Sequence, residues 1–176
     1  MHILIALAGA ALAFYFFVIR ARNAADVTTE LMDVANDVKL AARRFGFKRQ
    51  TSVHPVDSIE EPKIAIVGIA VSFLEIGSFP TQEQRDALVV QAQSILEVSK
   101  SDAEELVVLG RWLVTECGGP NAAISRLSRK LYKLSGTSAV TPVLSLVQNT
   151  LAVNGGELNE PQRDALDDVK GALHIR

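Results

Sequence analysis

Residues 3–19 form an unbroken uncharged run, ILIALAGAALAFYFFVI, which Arg20 and Arg22 follow directly. As a helix, seventeen residues at about 1.5 Å each span roughly 26 Å, slightly less than a bilayer core of roughly 30 Å. Long basic side chains at the end of such a helix can extend to the interface and make up the difference. The sequence therefore predicts a single transmembrane anchor over residues 1–22, marked by Ile3, Leu7, Leu12, Phe16, Ile19, Arg20 and Arg22.

A cleaved secretory signal is the main alternative to a retained anchor. Such a signal needs a basic segment before its apolar run and small residues at a cleavage site after it. Here only Met1 and His2 precede the run, and the bulky residues 16–19 occupy its end. A buried core helix is disfavoured because no polar stripe breaks the run. We therefore expect the anchor to be retained.

The distribution of charge predicts which side of the membrane holds the body. Positive residues collect on the cytoplasmic side of a span, and here Lys and Arg follow the apolar run while none precedes it. The single Cys117 is consistent with a reducing compartment. We expect a single-pass protein of the bacterial inner membrane, with its N-terminus outside and its C-terminal domain in the cytoplasm.

The anchor carries small residues on one helical face, and such faces allow membrane helices to approach closely. The alternative is that alanine serves only as an apolar helix former. If the face packs on another span, the partners of the chain include another membrane protein or complex as well as membrane lipid. The candidate helix-packing face comprises Ala6, Gly9, Ala10 and Ala13.

Residues 23–49 carry apolar positions in alternating steps of four and three, which predicts an amphipathic stalk helix. This seam packs either on the chain's own domain or on a partner helix, including a second copy of the chain in a homo-oligomer. Within the stalk, residues 43–49 combine bases with two aromatics, which suits an anionic membrane surface or a solvated helix end. A linker is expected over residues 50–58. The stalk seam comprises Val27, Leu31, Val34, Val38, Ala41 and Phe45.

The body after the linker contains an internal repeat. Residues 81–88 (TQEQRDAL) align with residues 159–166 (NEPQRDAL), and the five letters QRDAL are identical in both. In each copy a cap donor, Thr81 or Asn159, stands three residues before a glutamine, which is the spacing of a capping box. A glycine stands four residues before each cap. Both copies therefore predict a helix, a glycine turn and a capped helix.

The segments between the two copies show the same pattern. Ser101 and Glu104 have capping-box spacing and predict the start of a helix that Gly118 and Gly119 end. Further helices are expected over residues 59–76, 121–134 and 140–153. No window shows convincing strand alternation. We predict an all-α body over residues 59–176, built as a compact bundle of about six helices.

The sequence predicts no catalytic, cofactor-binding or metal site. His2, His54 and His174 are far apart, no two histidines have helical spacing, and Cys117 has no sequence-adjacent base. The net charge of −2 disfavours a general nucleic-acid binder, which needs a basic surface. We therefore expect a protein that is not an enzyme, with no cofactor and no nucleic-acid partner.

One predicted helix carries a one-sided concentration of positive charge. Its basic residues recur at steps of three, one and three, which places them on a single helical face. This face is either solvated or contacts an acidic partner or the anionic inner leaflet. The candidate interaction face comprises Arg126, Arg129, Lys130 and Lys133.

The repeated glycine turns give the body a resemblance to the TerB-like tellurite-resistance family, whose paired helical repeats carry turns of the form D-G-x-hydrophobic-S/T-x-x-E. Residues 153–160 (VNGGELNE) are similar to this turn, and residues 75–81 match it more loosely. The resemblance implies a membrane-associated interaction or stress-response module. Some members are linked to divalent metal through acids near these turns. Because Asn154 and Ile76 stand where acids would be expected, no metal ligand is assigned.

Together these features predict a membrane-anchored, cytoplasmic TerB-like helical module that acts as a non-catalytic protein-interaction adaptor. Two alternatives stay open at this point. One is an accessory subunit of a larger respiratory or transport complex in the inner membrane. The other is a sensor that responds to metal or stress, which depends on the family resemblance more than on individual residues.

Overall fold

The computed structural model describes residues 37–47, 52–76 and 79–174, apart from the side chain of Asn154. Outside these residues lie the predicted anchor, with its candidate packing face, and the first three residues of the stalk seam, Val27, Leu31 and Val34. No helix within the described ranges is both long enough and apolar enough to cross a bilayer.

Helices form all the regular structure of the described residues, and no strand occurs among them. Residues 37–44 form α1, the first helix among the described residues. Six complete α-helices follow, which confirms the predicted all-α bundle of about six helices. They are α2 (Pro62–Glu75), α3 (Gln82–Leu96), α4 (Lys100–Glu116), α5 (Pro120–Ser135), α6 (Val140–Leu151) and α7 (Glu160–Ala172). Three short 3₁₀ helices complete the described elements: η1 (Pro55–Ser58), η2 (Gly136–Ala139) and η3 (Ala152–Asn154).

Helix α2 is the centre of the bundle, and residues 64–74 are all buried. Because this stretch, IAIVGIAVSFL, is apolar on every side, the helix has no polar face to turn toward water. It packs most extensively against α4 and α5, and it also contacts α3 and α6. Helices α3 to α6 therefore surround α2, and α7 packs mainly on α5.

Two glycines allow α2 and α4 to approach closely. A Cβ atom added at Gly110 would lie 3.2 Å from the Cα atom of Gly68 and 3.3 Å from its nitrogen. A Cβ atom at Gly68 would lie 2.8 Å from Cδ1 of Leu127 on α5. Glycine inside a helix is less favourable than alanine by roughly 1 kcal/mol, so close packing is the physical reason for both residues. The sequence alone shows Gly110 inside a predicted helix and does not indicate its partner.

The end of α1 packs on the body. Val38 begins the compact unit that contains the remaining described residues. Ala41 is completely buried, and Val38 and Phe45 lie partly buried against the same core. For these three residues of the stalk seam, the structure supports packing on the chain's own domain rather than on a partner helix.

The aromatics that suggested a membrane surface over residues 43–49 face the core instead. Phe47 is buried, and its ring meets that of Trp112 edge to face, with 5.7 Å between the ring centroids. Arg44 forms ion pairs with Asp102 and Glu105 at 2.7 and 2.8 Å. The membrane-surface hypothesis is therefore wrong for these groups, because α4 supplies both an apolar neighbour for Phe47 and a counter-charge for Arg44.

The repeated sequence forms both predicted capping boxes. The Oγ1 atom of Thr81 accepts a hydrogen bond from the nitrogen of Gln84 at 3.2 Å, and Oε1 of Gln84 accepts one from the nitrogen of Thr81 at 3.0 Å. Asn159 and Gln162 make the same reciprocal pair at 2.9 and 3.1 Å. Each box satisfies backbone amides that a helix start otherwise leaves unpaired.

The two copies of the repeat differ in what their glutamines contact beyond the box. Gln84 is partly exposed, whereas Gln162 is only 5% exposed. The Nε2 atom of Gln162 donates a hydrogen bond to the backbone oxygen of Phe73 at 2.9 Å, which joins the start of α7 to the end of α2. The sequence does not show this difference between the two copies, because the residues QRDAL are identical in both.

The predicted start of the fourth helix is wrong by two residues. Its capping box is formed by Ser99 and Asp102, not by Ser101 and Glu104. The chain leaves α3 through Glu97, which has a left-handed conformation with φ of 51°, so only Val98 separates that turn from the cap. The hydrogen bond from Ser99 is the largest of the effects that lower the pKa of the Asp102 carboxyl, and Arg44 adds to it.

Candidate interaction site

Helix α5 separates apolar from basic residues on opposite faces. The helix begins at Pro120, after Gly119 has turned the chain with a φ of 123° that a non-glycine residue rarely adopts. Its buried face comprises Ala123, Ile124, Leu127, Ser128 and Leu131. The opposite face carries the four predicted residues, of which three are exposed and Lys130 is half-buried.

The four basic side chains line one wall of a cleft of about 280 Å³, so the structure brings the predicted interaction face together as one site. Val56 and Asp57 of η1 line the opposite wall. We call this site the basic cleft; its residues are Val56, Asp57, Arg126, Arg129, Lys130 and Lys133. The sequence predicted the basic wall and missed the wall contributed by η1.

The short helix η1 lies in the segment that the sequence predicted to be a linker, residues 50–58. Pro55 begins η1, and the Nδ1 atom of His54 accepts a hydrogen bond from the nitrogen of Val56 at 3.3 Å. After η1 the chain is extended at Ile59, which is completely buried. The following helix was predicted to start at residue 59, but it starts at Pro62. A histidine followed by a proline was the one local indication of this capped turn.

Two of the four cations are held in place by backbone oxygens. The Nζ atom of Lys130 donates to the oxygen of Asp57 at 2.7 Å, which joins the two walls of the cleft. The Nε atom of Arg129 donates to the oxygen of Ser125 at 2.9 Å on its own helix. Among the described residues, the other N–H groups of both side chains, and those of Arg126 and Lys133, have no hydrogen-bond partner.

The basic cleft carries uncompensated positive charge. Within the ranges that the structure describes, no carboxylate oxygen lies within 4.0 Å of a charged nitrogen of the four basic side chains. Elsewhere in the same ranges Arg44, Arg111, Lys100 and Lys170 all have acidic partners. The exposed carboxylate of Asp57 reduces the charge of the cleft but does not neutralise it.

A second, larger concavity of about 620 Å³ lies beside Phe79, which is 98% exposed. Its charged groups are already engaged with one another or with the backbone. Arg85 donates to the oxygen of Pro80 at 2.8 Å, and Arg111 lies 3.5 Å from Glu75. Burial raises the pKa of the Glu75 carboxyl, and the charge of Arg111 opposes this shift. This concavity therefore offers apolar surface with little free charge.

The histidines and the cysteine of the described ranges lie apart from one another. His54 caps η1, and the His174 ring lies 4.6 Å from that of Tyr132, centroid to centroid. Cys117 is half-buried, and its burial raises the pKa of the thiol while the charge of Arg126 opposes the rise. The thiol is therefore protonated at neutral pH. Among the residues described, no group of three or more His, Cys, Asp or Glu side chains could hold a metal ion.

The fold and the cleft together define a helical bundle with a charged concave surface. Comparisons of the chain with protein-family models, with curated proteins and with solved structures found no match. The resemblance to the TerB-like family therefore stays a prediction from the turn sequences.

Proposed function

We propose that this protein is a non-catalytic adaptor of the TerB-like type, anchored in the bacterial inner membrane by residues 1–22, whose cytoplasmic bundle binds an acidic protein partner in the basic cleft. The observation that carries the proposal is that four cations converge on one concave surface and none has a carboxylate partner in the part of the chain that the structure describes. A partner that belongs to a larger membrane complex fits the same proposal, because the anchor offers a small-residue face for a neighbouring span.

The composition of α5 supports a binding role over a purely solvated face. Its sixteen residues contain four bases and no acid, although the whole chain has a net charge of −2. Like charges three and four residues apart destabilise a helix by roughly 0.2–0.5 kcal/mol per pair. A solvated face usually avoids this cost by mixing charges of both signs. An acidic partner would remove the repulsion, and mutual attraction would speed its association.

Site-specific photocrosslinking in intact membranes tests the proposal. A benzophenone amino acid replaces Arg129 or Lys133 in the full chain, and in a control it replaces Arg163, an exposed arginine of α7. We expect a discrete protein adduct from the two cleft positions and none from the control. The same adduct should disappear when Arg126 is changed to glutamine. Equal labelling from all three positions would contradict a cleft-specific partner.

The proposed anchor needs a separate test. Membranes that contain the full chain are extracted at high pH, which releases peripheral proteins and leaves integral ones in the pellet. We expect the chain in the pellet. Recovery of the full-length chain in the supernatant would contradict the anchor and leave the cleft proposal to be judged by crosslinking alone.

A further inference from the structure

We infer that the acidic group recognised by the basic cleft is a phosphoryl group on a side chain of the partner protein. This inference rests on the proposed function of the cleft and specifies its ligand. It makes the adaptor dependent on phosphorylation of its partner. The size of the cleft, its charge and the positioning of its donors support the inference separately.

The size of the cleft favours a single side chain over an acidic helix. Ligand pockets start at roughly 300 Å³, and the basic cleft measures about 280 Å³ between α5 and η1. A helix is about 10 Å across with its side chains, so it would lie over the mouth without filling the space between Val56 and Lys133. A side chain that ends in a compact tetrahedral group can enter and reach both walls.

The charge of the cleft favours a dianion over a carboxylate. A carboxylate brings one negative charge, whereas a phosphorylated side chain brings roughly −1.5 to −2 at neutral pH and three strong acceptor oxygens. Four cations face the ligand, and Asp57 is the acidic group that lines the cleft with them. The carboxylate of Asp57 repels a dianion more than a monoanion, but the four cations outnumber it. The ligand with more charge and more acceptors therefore still gains most from the surrounding donors.

The donors are also partly positioned before binding. Lys130 is tied to the backbone oxygen of Asp57, and Arg129 is tied to that of Ser125, so neither long side chain has to be ordered entirely by the ligand. Lys130 supplies a compact point charge and the arginines supply planar forks of N–H groups. Together they match a tetrahedral oxyanion, which accepts hydrogen bonds from several directions.

Binding of labelled peptide pools to the full chain in detergent micelles tests the inference. Three peptide pools share randomised flanks and carry a fixed central phosphoserine, glutamate or serine. Water-soluble dihexanoyl phosphatidylserine is tested in parallel as a lipid ligand. We expect the phosphoserine pool to bind at least about tenfold more tightly than the glutamate pool, a ratio that corresponds to about one additional charge-assisted hydrogen bond from the dianion.

Matched variants assign the binding to the cleft. The double variant Arg126→Gln/Lys133→Gln should lose most of the preference for phosphoserine, because both side chains are exposed and line the cleft. The variant Arg163→Gln changes an exposed charge outside the cleft and should keep the preference. Arg126→Lys keeps the charge and loses the planar fork, so it should retain part of the preference. Equal melting temperatures would show that the variants remain folded.

The outcomes separate this inference from the proposed function. If the glutamate pool binds as tightly as the phosphoserine pool, the phosphoryl inference is overturned and the adaptor proposal stands. If no peptide pool binds but the crosslinker at position 129 still captures a protein, the phosphoryl inference is likewise overturned and the adaptor proposal stands. If only the lipid probe binds and the double variant abolishes that binding, both the inference and the protein-adaptor proposal are overturned.

Discussion

Replacing Gln162 with alanine is expected to destabilise the fold much more than the same change at Gln84, although both residues occupy the same place in the repeat. Each glutamine accepts a hydrogen bond from the cap residue that precedes it. Only Gln162 also donates to a buried backbone oxygen, that of Phe73. The comparison therefore isolates a tertiary hydrogen bond from an otherwise identical helix cap.

The expected magnitudes follow from the environments of the two side chains. Loss of one exposed half of a capping box at Gln84 should cost about 0.5–1 kcal/mol. At Gln162 the same loss is joined by a buried carbonyl without its partner, which adds about 1–3 kcal/mol. We expect a difference of about 2 kcal/mol between the variants. For a domain of this size that corresponds to a difference of about 6–8 °C in melting temperature.

Thermal unfolding of the full chain, followed by circular dichroism at the helical band, measures this difference. Glutamate variants refine the comparison, since glutamate can still accept the bond from the cap nitrogen but cannot donate to Phe73. We expect Gln84→Glu to be nearly neutral and Gln162→Glu to be strongly destabilising, because it places a carboxylate beside a buried carbonyl oxygen. Equal losses for the two alanine variants, or a neutral Gln162→Glu, would refute the reasoning.

Three further predictions concern the core. Ser128→Ala should be neutral or should stabilise the fold by up to about 1 kcal/mol in chemical denaturation, because the buried hydroxyl of Ser128 has no partner within the described residues. The control Ser72→Ala should not stabilise, because it removes a hydrogen bond to the oxygen of Gly68 at 2.7 Å. Gly110→Ala should destabilise by about 1–3 kcal/mol despite its better helix propensity, and an unchanged denaturation midpoint would contradict the close approach of α2 and α4. Cys117 should alkylate severalfold more slowly at pH 7.5 in the native chain than in denaturant, because its raised pKa lowers the thiolate fraction; equal rates would contradict this.

Local patterns in the sequence were sufficient to predict the helical class and both caps of the repeat. Helix capping is decided within four residues, so Thr81 and Asn159 could be recognised without knowledge of the fold. The same rule failed at α4, where Ser99 and Ser101 both have an acid three residues later. The choice between them depended on where the preceding helix ended, which a short window does not contain.

The features that the sequence did not predict all depend on long-range contacts. The four cations of the interaction face were predicted from periodicity, but their opposing wall comes from η1, whose Asp57 lies 73 residues before Lys130. Phe47 resembled a surface aromatic because its neighbours in the sequence are basic, and its burial depends on Trp112. Periodicity identifies which residues share a face and does not identify what that face meets.

The contact between Gly68 of α2 and Gly110 of α4 also affects the pairing of the residues that follow Gly110. A methyl group at Gly110 would lie 3.2 Å from the Cα atom of Gly68, so the glycine at position 110 sets how closely α4 can approach α2. The residue after Gly110, Arg111, pairs with Glu75 of α2, and Trp112 meets Phe47, which follows α1. A larger side chain at position 110 would therefore move α4 away from α2 and lengthen the ion pair between Arg111 and Glu75.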